Sequence, residues 1–295
     1  MDAETIVTLR TGNLELRLSP SIGGAIEAFE FVRDARPRAI LRESHTRLEK
    51  VLDAACFPLV PYVNRIRGGR FHFRGREIRL APNMAGDPSP LHGQGWLNPW
   101  SVDECRDRRA VLSYRHAAGE WPWDYDARQE FDLNGHGLTA TLTCRNASKD
   151  PMPCGLGFHP YFPCGPQTRL DTDVSIAWTV DKDVLPLAEV PAAGRYGLKD
   201  RLVCGQGLDN GFGGWGGEAQ MSDPDWPYAI RMSSGEAHFF QLYSPPTGGI
   251  FVAEPVTHAN AALNAPEEQW PELGMRVLDP GEEMSLTMRL ELQPR

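Results

Sequence analysis

Residues 128–144 read RQEFDLNGHGLTATLTC, two extended runs joined by a turn. Leu138, Ala140, Leu142 and Cys144 face one way and Thr139, Thr141 and Thr143 the other, the period of two that a half-buried strand requires. Asn134-Gly135-His136-Gly137 separates this run from 128–133, and such turn residues between alternating segments signal a β-hairpin. The period continues outward. Met284, Leu286, Met288, Leu290 and Leu292 alternate with Ser285, Thr287, Arg289 and Glu291, and Leu14, Leu16 and Leu18 alternate with Glu15 and Arg17. Phe71 and Phe73 alternate with Arg70, His72 and Arg74, and the pattern resumes after Gly75 at Ile78 and Leu80. Further apolar-aromatic runs lie at 174–180, 237–243 and 249–253. No window beyond about twelve residues carries a helical stripe, and 29 glycines and 25 prolines punctuate the runs. These patterns predict an all-β fold, a large antiparallel β-sandwich, with short helical turns near 42–54 and 266–273. No repeat, low-complexity tract or linker breaks residues 1–295, which predicts one domain.

Composition bounds the partners. A hydrophobic fraction of 41% with 23% charged residues is ordinary for a soluble chain with a sizeable core. The formal net charge of −9 disfavours nucleic acid and anionic membranes and suits a neutral small molecule. The start, MDAETIVTLRTGNLELRLSP, has early acidic residues and no apolar core of a leader, and no run approaches the roughly 18 apolar residues of a membrane span. A cytoplasmic location is expected. Six cysteines (Cys56, Cys105, Cys144, Cys154, Cys164 and Cys204) form no C-x-x-C pair, so reduced, mostly buried thiols are expected rather than disulfides or a metal site.

The stretch richest in chemistry is 57–100, FPLVPYVNRIRGGRFHFRGREIRLAPNMAGDPSPLHGQGWLNPW. An apolar run ends in Asn64 and Arg65, an amide beside a planar, permanently charged fork, groups suited to hydroxyls or carboxylates. His92 follows in a Pro- and Gly-rich loop, where an imidazole can transfer protons. His159 stands among apolar and aromatic neighbours that would exclude water. Glu254 closes the apolar run 250–253 before Pro255, where partial desolvation would strengthen it as a base. Pro255 argues against a helical Glu254/His258 metal pair. Residues 205–217, GQGLDNGFGGWGG, lack the Gly-Lys-Ser/Thr ending of a phosphate loop and read as a flexible connection carrying Asp209 and Trp215. His72, His116, His136 and His238 fall in or beside strand patterns and read as structural.

The order N-R-I-x-x-G-x-F-x-F-x-G over 64–75, then Leu91-His92-Gly93, then Trp96, resembles the aldose 1-epimerase (galactose mutarotase) family. The resemblance continues in the same order at Gly157-Phe158-His159-Pro160-Tyr161-Phe162, at Asp209 and at Glu254, so it spans nearly the whole chain. It implies a large twisted, galactose mutarotase-like sandwich with a monosaccharide site on a concave sheet face, and a cofactor-free, metal-free interconversion of α and β anomers. It further implies His159 as the acid that protonates the ring oxygen and Glu254 as the base. His92 would help bind the sugar and stabilise developing charge, Asn64 and Arg65 would hold ring hydroxyls, and Asp209 would accept from adjacent ones. Many members carry Asn where Phe158 stands, a departure that keeps the proton donor but removes an amide nearby. Trp96, Trp100, Trp121, Trp123 and Tyr125 cluster in sequence; Trp96 is the candidate apolar platform for a sugar's C–H face and the others are expected in the core.

Mutarotation needs one acid and one base, expected on opposite sides of the reacting bond. The C1 hydroxyl loses a proton while the ring oxygen gains one, the ring opens to the aldehyde, rotation about C1–C2 presents the other face, and the steps reverse. Each well-placed group typically contributes about 10²–10⁴-fold. An epimerase acting on a sugar phosphate, with Arg65, Arg67 and Arg70 as its cations, is a close variant. A non-catalytic carbohydrate-binding sandwich would need the aromatics and the Asn-Arg pair but not both His159 and Glu254, and a purely structural β domain would need none of them. Oligomeric state is not legible in the sequence.

Overall fold

The structure, a computed structural model, describes residues 6–33, 36–43 and 48–295. Residues 1–5, part of the stretch read for a leader, lie outside it. Among the described residues all helical segments are short 3-10 turns and the ladders are antiparallel. The expected turns occur at Val51–Asp53 and Glu267–Gln269, while 44–47 lie outside the described residues. No helix among the described residues is long and apolar enough to cross a membrane.

The hairpin spanning 125–146 is central. Tyr125–Asn134 pairs with Gly137–Asn146, Asn134 opposite Gly137, so Gly135-His136 is the turn. The Asn134 side chain accepts from the His136 and Gly137 amides at 2.8 and 3.1 Å, supplying the turn with its hydrogen bonds. On either side the sheet extends to nine strands, including the long Glu283–Pro294. Leu138, Ala140, Leu142 and Cys144 are buried and the intervening threonines half-buried, as the period demands.

A second sheet runs in the order Pro186–Pro191, Ile176–Val180, Leu208–Gly213, Phe239–Ser244, Ile250–Val256, Gly157–Phe158, Pro58–Leu59, with Tyr161–Pro163 also paired to Ile250–Val256. One face sends Phe212, Phe240, Leu242, Phe251 and Ala253 into the same core as Leu142, Leu286, Met288 and Leu290 of the nine-stranded sheet, the layered packing that defines a sandwich. The alternate residues of those strands turn the other way, where Phe239, Val252 and Val256 gather with Phe57, Trp96 and Tyr161 in a smaller cluster. A four-stranded N-terminal sheet adds Leu14, Leu16 and Leu18 to the main core.

Two readings are corrected. Residues 205–217 are not a flexible connection: they contain the strand Leu208–Gly213, with Leu208, Asn210 and Phe212 buried. Their glycines serve close approach, since a Cβ on Gly211 would meet the Gln241 amide oxygen at 3.2 Å and one on Gly213 would meet Ile176 at 2.9 Å. Cys105 is exposed, and Cys164 and Cys204 are half-buried, so only Cys56, Cys144 and Cys154 act as core residues.

Candidate active site

The strand order of the second sheet lays out the site. Neighbouring strands stand about 4.8 Å apart, and across them come Asp209, then Gln241 with Tyr243, then Glu254, then His159 just past its strand and Phe57 just before its own. Gln241 lies directly opposite Glu254, and Tyr243 directly opposite Asp209. Gln241 donates to Asp209 at 2.8 Å. His159 is fixed by main-chain bonds on both sides: its own amide donates to the Phe57 carbonyl at 3.0 Å and that of Tyr161 to the Ala55 carbonyl at 2.9 Å.

The remaining wall comes from 64–65 and 91–93. The Asn64 amide donates to His92 Nδ1 at 3.1 Å and the His92 amide returns a bond to the Asn64 carbonyl at 3.0 Å. The first bond assigns the His92 proton to Nε2. Both residues have left-handed backbones, φ 60° for Asn64 and 59° for His92, conformations that non-glycine residues hold mostly where the surroundings enforce them. Arg65 Nε donates to Asp87 at 2.8 Å and Nη1 to the Asn64 side chain at 3.1 Å, which aims the fork.

Asn64, Arg65, His92, Trp96, His159, Asp209 and Glu254, the seven residues singled out from the sequence, all border one hollow of about 250 Å³. His159 Nε2 and Glu254 Oε1 are 3.4 Å apart. The two groups therefore sit side by side on one wall, not on opposite sides of a gap, because they come from adjacent strands. Trp96 also departs from expectation. Its indole N–H is engaged by the Leu91 and Gly93 carbonyls and its ring stacks on Phe57 at 5.3 Å, so it fastens the His92 loop from behind while Phe57 and Tyr161 form the aromatic surface.

Burial dominates the electrostatics. It lowers His159 to about 3, with the nearby Arg42 charge adding to the effect, and holds His92 well below the usual imidazole range. It holds Glu254 well above the usual carboxylate range; the Asp209 charge adds to this and Arg65 opposes it. Asp209 is raised by burial against the pull of Arg65 and Gln241. Among the described residues that border the hollow, two buried side-chain atoms have no hydrogen-bond partner, His159 Nδ1 and Glu254 Oε2. A stranded buried polar atom costs about 1–3 kcal/mol, a cost the fold carries at both members of this pair.

The other sequence candidates fall elsewhere. Trp100, Trp121, Trp123, Tyr125 and Phe158 lie in the main core. His72, His116, His136 and His238 do not border the hollow. His258 is buried with both nitrogens engaged, Nε2 accepting from the Val63 amide and Nδ1 beside the Ala259 carbonyl, each at 2.8 Å. No cluster of three or more metal-ligating side chains occurs among the described residues. Gln241 and Tyr243 escaped the sequence reading; the one signal for Gln241 is a lone amide inside the apolar run Phe239–Ser244.

Comparison with known proteins gives the family and the fold. The family model described as Aldose 1-epimerase matches residues 5–291. The chain belongs to that family. The Escherichia coli K12 protein YphB, uncharacterized, is 35% identical over 300 residues, 98% of this chain and 99% of its own. The crystal structure of a candidate aldose 1-epimerase from the same organism superposes with a TM-score of 0.89 at 34% identity, covering 99% of both chains. A galactose mutarotase-like protein from Clostridium acetobutylicum has a TM-score of 0.84 at 18% identity, covering 98% of this chain and 95% of that one. The fold is thus the galactose mutarotase-like sandwich, and the hollow on its second sheet carries two imidazoles and two carboxylates.

Proposed function

We propose that the protein is an aldose 1-epimerase that interconverts the anomers of a free, uncharged monosaccharide, with His159 as acid and Glu254 as base. The observation that carries this is their 3.4 Å contact on the wall of the hollow. A hemiacetal bears O1 and the ring oxygen on one carbon, so its reacting oxygens are next neighbours and call for an acid and a base that are also next neighbours. Burial opposes a lone charge on either group, and the pair holds one proton between Nε2 and Oε1. With sugar bound, Glu254 takes the O1 proton as the C1 carbonyl forms; the bond from C1 to the ring oxygen breaks and that oxygen takes a proton from His159. Closure on the other carbonyl face reverses each transfer. His92, its proton on Nε2, is a neutral donor beside His159, with ring centroids 5.4 Å apart. Asn64, Arg65, Asp209 and Gln241 hold the hydroxyls.

At about 250 Å³ the hollow is smaller than the roughly 300–1,000 Å³ of sites for drug-sized ligands and suits a single sugar ring. The sugar-phosphate variant finds little support. Arg65 is bound by Asp87, and Arg67, outside the hollow, is near Asp181 at 3.7 Å and donates to the Pro186 carbonyl. The test is polarimetry or NMR exchange on freshly dissolved aldoses and their 6-phosphates. Free aldoses are expected to equilibrate faster with protein present, and Glu254→Gln and His159→Asn each to lose about 10²–10⁴-fold in rate. Full activity in either variant refutes that residue's role; binding without acceleration across the panel favours the carbohydrate-binding reading.

A further inference from the structure

The strand order that places the acid and the base also orients the substrate. Building on the roles given above, O1 lies at Glu254 and the ring oxygen at His159. In an aldopyranose C2 follows C1 on the far side from the ring oxygen, and C5 follows the ring oxygen on the far side from C1. The sheet continues past Glu254 to Gln241 and Asp209, and past His159 to Phe57. The C2 and C3 hydroxyls therefore fall on the amide–carboxylate side, and the C5 substituent falls on the side of Phe57.

That flank is apolar. Phe57 stacks on His159 at 4.5 Å, and Trp96, stacked behind Phe57, has its N–H committed to main-chain carbonyls. Leu52 borders the hollow with 43% of its surface exposed, and Arg42 holds its turn by donating to the Leu52 carbonyl at 2.6 Å. The Arg42 guanidinium itself lies over the Tyr161 ring at 3.8 Å and does not border the hollow, so among the described residues no cation faces this flank. Among the described residues, Tyr161 with its hydroxyl and His92 with its Nε2–H bring polar groups to it, the His92 ring standing edge-on to His159 at 5.4 Å and to Phe57 at 6.1 Å.

We propose that the hollow selects aldoses whose C5 carries hydrogen or methyl over those carrying hydroxymethyl or a charged group, because the sheet places C5 against Phe57 and Leu52. A hydroxymethyl there trades water for a flank whose polar groups, among the described residues, are the Tyr161 hydroxyl and the His92 Nε2–H, the latter turned to the reacting oxygens, whereas a methyl buries apolar surface without that penalty.

The experiment compares sugars that differ only at C5. D-galactose, D-fucose and L-arabinose bear hydroxymethyl, methyl and hydrogen on otherwise matching rings; D-glucose, 6-deoxy-D-glucose and D-xylose form a second such series. kcat/KM for anomer exchange is measured by NMR for each. In whichever series is active, the methyl or hydrogen member is expected to exceed the hydroxymethyl member by about tenfold, the ratio that one poorly met hydroxyl produces. A hydroxymethyl member that equals or exceeds its partners overturns the selection and leaves the mutarotase reading standing. No acceleration of any sugar removes both.

Discussion

Glu254 has one carboxylate oxygen against His159 and the other buried with no hydrogen-bond partner among the described residues, with 2% of the residue exposed. Such a residue is costly to the fold and useful to chemistry. Its pKa is raised by burial, so the folded protein holds a proton that the unfolded chain releases once the pH passes about 4.5. Below that value both states are protonated and the carboxyl is harmless; as pH rises the unfolded state gains from ionisation and the folded state does not. Gln is the same shape and never ionises. Glu254→Gln is therefore expected to raise Tm at pH 8 by a few degrees while lowering the rate about 10²–10⁴-fold, the trade seen where an active site is strained. The gain should vanish at pH 4. Scanning calorimetry at the two pH values checks this; equal Tm at pH 8 would show that the carboxylate is better solvated than its burial implies.

At the scale of elements, the site is held by contacts between segments far apart in the chain. Val63 and Asn64 begin the turn that aims Arg65, and the Val63 amide is captured by His258, 195 residues later. Gly155 makes room for that imidazole: a Cβ there would lie 2.0 Å from His258 Cδ2 and 2.6 Å from Nε2. Neither partner can yield easily, because the Gly155 amide is bound to the Pro61 carbonyl at 2.7 Å and His258 is held at both nitrogens. Gly155→Ala is expected to cost about 1–3 kcal/mol, the usual penalty of overpacking. Because the displaced ring releases Val63, kcat/KM should fall with it although residue 155 does not border the hollow. Urea denaturation and the exchange assay test the two halves. Lost stability with unchanged activity would mean that the 63–65 turn keeps its shape without His258.

Across the whole molecule, the parts legible in the sequence were those where one period governs. The hairpin at 128–144, the strand Glu283–Pro294 and the hairpin around Gly75 follow from alternation and turn residues alone. The Leu208–Gly213 strand did not, since its glycines exist to admit Gln241 and Ile176, partners that no local pattern names. Within the hollow, His159 and Glu254 were readable as titratable groups in apolar surroundings. Their side-by-side arrangement was not, because it depends on the non-consecutive pairing that sets Gly157–Phe158 beside Ile250–Val256. That assembly buries titratable groups of both kinds, with a consequence for acid stability. His159 is lowered to about 3, His258 to about 4 and His92 well below its usual value, so between pH 6.5 and 4 the unfolded chain takes up three protons that the folded one refuses. Each such proton weakens the fold by about 1.4 kcal/mol per pH unit. Glu254 and Asp209, both raised, work in the opposite sense over part of this range by binding protons in the folded state first. The lowered histidines outnumber the two raised carboxyls, so stability should decline from pH 6.5 downward. Glu254→Gln should steepen the decline, because it removes an opposing group. Urea midpoints measured at half-unit intervals from pH 7 to 4 decide this. A flat profile in the wild type would mean that the imidazoles titrate in the folded protein near their ordinary values, and the neutral His92 donor assigned here would fall with it.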